Sequence, residues 1–228
     1  MGATQRRVAA CAAAAAGVGF LSSVLWDLVR LDDGPLVGDT AALVQFGGNK
    51  ARLFQLAMIA DMWGSYLLFG PLVVFLWFRL RDRNPFAAAV GSCAGIAYAL
   101  NGAVGAAVLA VAGSSLMRAY GDDPSTAVAT SFTVLTDAVL GMWQVVGGLL
   151  LGTWLITVGL LLRDEWRRFA WATMAFGAIT ALAAVGASVA TANESAIPAT
   201  LLFSPLAMWP AALAVMLWRD ASRDAVTL

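Results

Sequence analysis

Three carboxylates stand inside apolar stretches of this chain: Asp27, Asp61 and Asp137. Burial of a carboxyl group favours its neutral, proton-donating form. Such a group could protonate an alkene or an epoxide without metal or cofactor, and none is expected. Trp26, Trp63 and Trp143 lie at the same depth along their segments, and indole faces stabilise cations. The amides Gln55, Asn101 and Gln144 occupy the outer or middle parts of their segments and could orient a ligand. Asp61 and Asp137 are therefore the candidate catalytic residues. Trp63, Trp143, Gln144, Asn101, Gln55 and Trp26 are the candidate substrate-binding residues.

Helical spacing asks which of these face inward. Asp61 shares a helix face with Phe54, Ala57, Met58, Gly64, Ser65 and Leu68, a small and polar face of the kind that packs. Thr133, Asp137, Gly141, Gln144 and Gly148 form a second stripe at spacings of three and four. Each candidate also has a structural reading. Asp27 adjoins an interface and can be hydrated. Asp137 can be a hydrated helix start or a structural hydrogen bond. Asp61 can pair with Arg52 or bond to a neighbouring helix. The tryptophans can be interfacial anchors.

Composition removes whole classes of chemistry. With no histidine there is no His-ligated haem or zinc and no Ser-His-Asp triad. Cys11 and Cys93 have no metal spacing and read as small apolar residues. Lys50, the single lysine, falls in a polar loop, which disfavours a buried Schiff base. No phosphate-binding glycine motif follows a strand-like run. The 14 basic and 14 acidic residues cancel, so no nucleic-acid partner is expected.

The elements that must hold these residues are membrane helices. The chain is 228 residues long, 61% hydrophobic and 12% charged, against about 45–50% and about 25% in a soluble domain. A bilayer span needs about 20 mostly apolar residues. Six segments qualify: Val8–Val29, Leu53–Phe78, Phe86–Ala112, Val134–Leu162, Phe169–Ala190 and Ile197–Trp218. The first follows Arg6 and Arg7 like a signal peptide, but its apolar run is long and no cleavage site follows, so it reads as a retained helix. In the loop after it, Asp39 as N-cap and Gly47 as stop predict a short surface helix. The expected fold is a single all-α domain, residues 1–228, built as a six-helix transmembrane bundle.

Charge placement orients it. Arg6, Arg7, Arg79, Arg81, Arg83, Arg163, Arg167, Arg168, Arg219 and Arg223 fall on one side; Arg30, Lys50, Arg52 and Arg118 fall on the other. The bias of 10 to 4 puts both termini in the cytoplasm of a multi-pass cell-membrane protein. Gly91/Gly95 and Gly148/Gly152 permit close helix approach. Pro71, Pro205 and Pro210 can kink their spans. No repeat relates the two halves, which weakens an inverted-repeat carrier.

Gly38-Asp39-Thr40-Ala41-Ala42, the run Arg52 to Asp61, and Gly141-Met142-Trp143 through Arg163 resemble, in that order, a bacterial family of small six-helix membrane proteins known only as a domain of unknown function. The resemblance covers most of the chain, implies six helices and draws attention to Asp61. It implies no activity. The family often has a proline-containing turn after the fourth span, where this chain has Asp164-Glu165-Trp166. In general character the chain is also similar to small integral-membrane terpene cyclases.

Three roles follow as expectations. The first is a non-catalytic membrane subunit or binding protein, with membrane lipids and a membrane protein as partners. The second is acid-initiated cyclisation of an apolar isoprenoid or lipid ligand by Asp61 or Asp137. The third is a small proton-coupled carrier.

Overall fold

The computed structural model describes residues 2–30, 40–45, 47–189 and 208–219. All of its regular structure is helical, with no strand among the described residues. In order come α1 (Gly2–Arg30), α2 (Thr40–Gln45), α3 (Gly47–Asp61), α4 (Phe69–Leu80), α5 (Pro85–Val108), α6 (Ser114–Asp122), α7 (Thr126–Gly141), α8 (Gly148–Leu162) and α9 (Arg167–Val189). A further helix, α10, covers 208–219.

Three pairs of these helices join end to end through π-helical segments: Met62–Leu67 after α3, Leu109–Gly113 after α5, and Met142–Gly147 after α7. The joined helices run Lys50–Leu80, Pro85–Asp122 and Thr126–Leu162. Together with Arg167–Gly186 they are, among the described residues, four helices long and apolar enough to cross a membrane. At 1.5 Å per residue, 38 residues reach about 57 Å, nearly twice the roughly 30 Å hydrocarbon core.

Local sequence explains the breaks. Asn84 caps α5 by accepting from the Ala87 amide at 3.0 Å, with Pro85 at the first helical position. Ser125 caps α7 through Val128 at 3.3 Å. Pro71 has no amide to bond back one turn, and the first π segment ends at Leu67, four residues before it. The predicted short helix exists as α2, but Gly47 opens α3 instead of ending α2. Of the sixth expected span, residues 197–207 lie outside the described residues. Pro205 lies there too.

Two apolar cores stack along the long helices. One lies toward the arginine-bearing end and is built on Phe69, Leu72, Leu76, Trp154, Leu155 and Leu213. The other lies toward the opposite end, where α2 contributes Leu43 and Val44 to Phe54, Met58, Met117 and Phe132. Glycines set the helix spacing. On α8, Gly148 meets Ala184, Gly152 meets the Gly177 carbonyl and Gly159 meets the Ala170 carbonyl, all on α9. Gly91 and Gly95 of α5 lie against Thr157 and Trp154 of α8. Both glycine pairs thus work within the chain.

At the arginine-bearing end, Glu165 accepts from both Arg79 and Arg83. Arg83 also donates to the Leu161 carbonyl. The Arg79 guanidinium lies 4.9 Å from the Trp166 ring centre. Trp166 is buried, whereas Trp171 and Trp218 are exposed.

Candidate functional site

Asp61 is the last residue of α3, immediately before the first π segment. Phe54, Ala57, Met58 and Gly64 on its face are buried. Ser65 donates to Asp61 Oδ1 at 2.6 Å. Ser22 of α1 places its hydroxyl between the Asp61 carboxylate and the Ala57 carbonyl, 3.3 Å from the latter. Ser65 thus holds the carboxylate directly, and Ser22 beside it ties α1 to α3 through the Ala57 carbonyl.

That interface is tight because side chains are absent from it. A Cβ on Gly64 would stand 2.3 Å from the Gly19 nitrogen. Backbone meets backbone, and Ser22, one turn along α1, is thereby brought to Asp61.

On the other side of Asp61 lies an aromatic group. Tyr66 and Tyr98 are buried within electrostatic reach of its carboxylate. The two rings are 5.5 Å apart, and Tyr66 is 5.9 Å from Trp143. Phe69 continues the row to Trp154 and Trp209 at 5.4 and 6.3 Å. Two more glycines admit these rings: Gly102 faces Tyr66 and Gly105 faces Trp143. Asn101 in turn faces Gly147. Within the described residues, Tyr98 Oη, Asn101 Nδ2, Trp143 Nε1 and Thr136 Oγ1 are buried without a hydrogen-bond partner. Three of these four, Tyr98, Asn101 and Trp143, belong to α5 and the third π segment.

The other expected site residues disperse. Asp137 and Gly141 are exposed, whereas Thr133, Gln144 and Gly148 are half-buried. The inward face of α7 is instead Phe132, Thr136 and Val139, so the Thr133–Gly148 stripe is a flank of the helix and not its packed face. A π turn holds more residues than an α turn, so faces assigned by α spacing rotate on passing Met142–Gly147. Trp63 is 51% exposed. Gln55 is half-buried. Trp26 and Asp27 lie in α1, but their side chains fall outside the described set. Of the two structural readings of Asp61, pairing with Arg52 is not seen, since Arg52 is exposed and Ser65 donates to the carboxylate, while Ser22 of the neighbouring α1 lies beside it.

Spacing alone missed Tyr66, Tyr98 and Ser22. Tyr66 is five residues after Asp61, a separation that aligns in a π turn and diverges in an α turn. Tyr98 was legible in principle: Tyr98, Asn101, Gly102 and Gly105 follow helical spacing along one face of α5.

No family model matches the chain. No curated protein matches it, and no solved structure matches it.

Proposed function

We propose that this chain is a six-span, multi-pass protein of the cell membrane with both termini in the cytoplasm, and that it acts as a non-catalytic membrane subunit or binding protein. Four membrane-length helices support the architecture. To these the proposal adds α1, at 29 residues long enough to cross, and the segment ending in α10. The 10-to-4 distribution of basic residues supports the orientation.

One observation carries the non-catalytic reading. The Asp61 carboxylate accepts from Ser65 inside a glycine-tight interface, where Ser22 beside it bonds α1 to the Ala57 carbonyl of α3. The test is purification of the full chain, and of Asp61→Asn, from its native membranes into nanodiscs. The subunit reading expects a partner at fixed stoichiometry that both forms retain. Turnover of an added prenyl lipid by the parent, lost in Asp61→Asn, would overturn it.

A second reading, acid-initiated isoprenoid cyclisation, draws support from the row Tyr66, Tyr98, Trp143, Phe69 and Trp154 beside Asp61. Asp61 would protonate the terminal alkene or epoxide, and the ring faces would stabilise the resulting cation. The same turnover assay decides between the two.

A further inference from the structure

A shallow crevice opens between α4, α5 and α8 at the arginine-bearing end. Leu76, Trp77, Gly91, Ser92, Thr157 and Leu161 line it. Its empty volume is about 210 Å³ counted out into open solvent, so it is a surface groove and not a closed cavity. Its floor is low because Gly91 lacks a side chain; a Cβ there would stand 2.9 Å from Thr157 Cγ2.

Two arginines frame its mouth. The Arg81 guanidinium lies 5.3 Å from the centre of the Trp77 ring, a wall of the crevice, and 5.1 Å from that of Phe78. Arg81 is half exposed, and Asp82 approaches it only to 3.8 Å. Arg83 donates to the carbonyl of Leu161, the opposite wall. The loop 79–83 at the mouth holds Arg79, Arg81 and Arg83 against Asp82. An apolar slot thus leads directly to a positively charged rim.

We propose that this crevice binds one anionic glycerophospholipid, with an acyl chain along Gly91 and Thr157 and the phosphate at Arg81 beside Arg83. Guanidinium groups bind phosphate through paired, charge-assisted hydrogen bonds. Basic pockets between membrane helices select acidic headgroups in this way. The crevice shares Trp154 with the aromatic row near Asp61, but its charged rim lies in other loops, so the proposal does not rest on the role proposed above.

The test is native mass spectrometry of the full chain, delipidated in detergent and titrated with phosphatidylglycerol or phosphatidylcholine. One phosphatidylglycerol is expected to bind in preference to phosphatidylcholine. Arg81→Gln is expected to weaken it about tenfold, the loss of one charge-assisted phosphate contact. Ser92→Leu, which fills the slot and leaves the charge intact, is expected to weaken it as well. Arg167→Gln removes the same charge outside the crevice and is expected to leave binding unchanged. Equal binding of phosphatidylcholine, equal loss in Arg167→Gln and Arg81→Gln, or no effect of Ser92→Leu would each overturn the proposal. So would inorganic phosphate that raises the melting temperature as far as the lipid does, which would mark a free-anion site.

Discussion

The backbones of Gly64 and Gly19 touch. A methyl group on Gly64 would lie 2.3 Å from the Gly19 nitrogen and 2.6 Å from the Val18 carbonyl carbon. No flexible side chain stands there to yield, so the contact sets how α1 meets the first π segment. Ser22 reaches Asp61 as a consequence.

Gly64→Ala is therefore expected to destabilise the protein by about 1–3 kcal/mol, as overpacking does. Gly70, with open space around its Cβ position, is the control: Gly70→Ala is expected to leave stability unchanged or raise it by up to about 1 kcal/mol. Thermal unfolding in nanodiscs measures both. Equal losses would show that glycine itself, not this contact, matters.

Asp61→Asn retains an oxygen that can accept from Ser22 and Ser65. Its melting temperature is expected to stay close to the parent's. Ser22→Ala removes the bond between helices and is expected to lose about 0.6 kcal/mol, the mean for such bonds in membranes, with about 1.7 as the ceiling. A much larger loss in Asp61→Asn would show that the carboxylate charge itself holds the interface.

Tyr98 packs its ring 5.5 Å from Tyr66 and 5.9 Å from Phe69, while its hydroxyl has no partner within the described residues. Tyr98→Phe keeps the ring and is expected to be neutral or to stabilise by up to about 1 kcal/mol, since no bond is lost. A clear loss of stability would reveal a bridging water at the hydroxyl.

Glu165 is held between Arg79 and Arg83, and all three are partly shielded from solvent. Glu165→Ala leaves two guanidinium groups without their carboxylate and is expected to lose about 1–3 kcal/mol. Asp82 is almost fully exposed, and Asp82→Ala is expected to change stability by well under 1 kcal/mol. Denaturation at low and high salt tests the pair, because screening weakens the exposed bridge more than the shielded one.

The proposed topology places the Asp82 and Asp123 turns on opposite sides of the membrane. With Cys11 and Cys93 replaced, a cysteine at position 82 is expected to react with a membrane-impermeant maleimide only after the cells are opened. A cysteine at position 123 is expected to react in intact cells. The reverse pattern would invert the orientation.

Apolar length and capping chemistry made much of the fold legible in advance. Leu53–Phe78, Phe86–Ala112 and Val134–Leu162 each fall on a membrane-length helix, and so does the fifth span from Phe169 as far as Gly186, because hydrocarbon thickness constrains a span whatever its neighbours are. The glycine pairs on α5 and α8 were legible for a similar reason, since close approach requires small residues. The inward face of Asp61 was also readable, because α3 is regular up to that residue.

Residues beyond the π segments were not readable in the same way. Tyr66, inside the first π segment, reaches Asp61's surroundings, and on α7, a regular helix, packing buries Thr136 and leaves its neighbour Asp137 exposed. A π turn rotates every later face, and local spacing carries no sign of that rotation. Ser22 becomes a partner of Asp61 only because Gly19 and Gly64 let two distant helices touch. Helix length is a property of one segment and its solvent. Which polar groups meet depends on how several segments pack, and that is an outcome of the whole bundle.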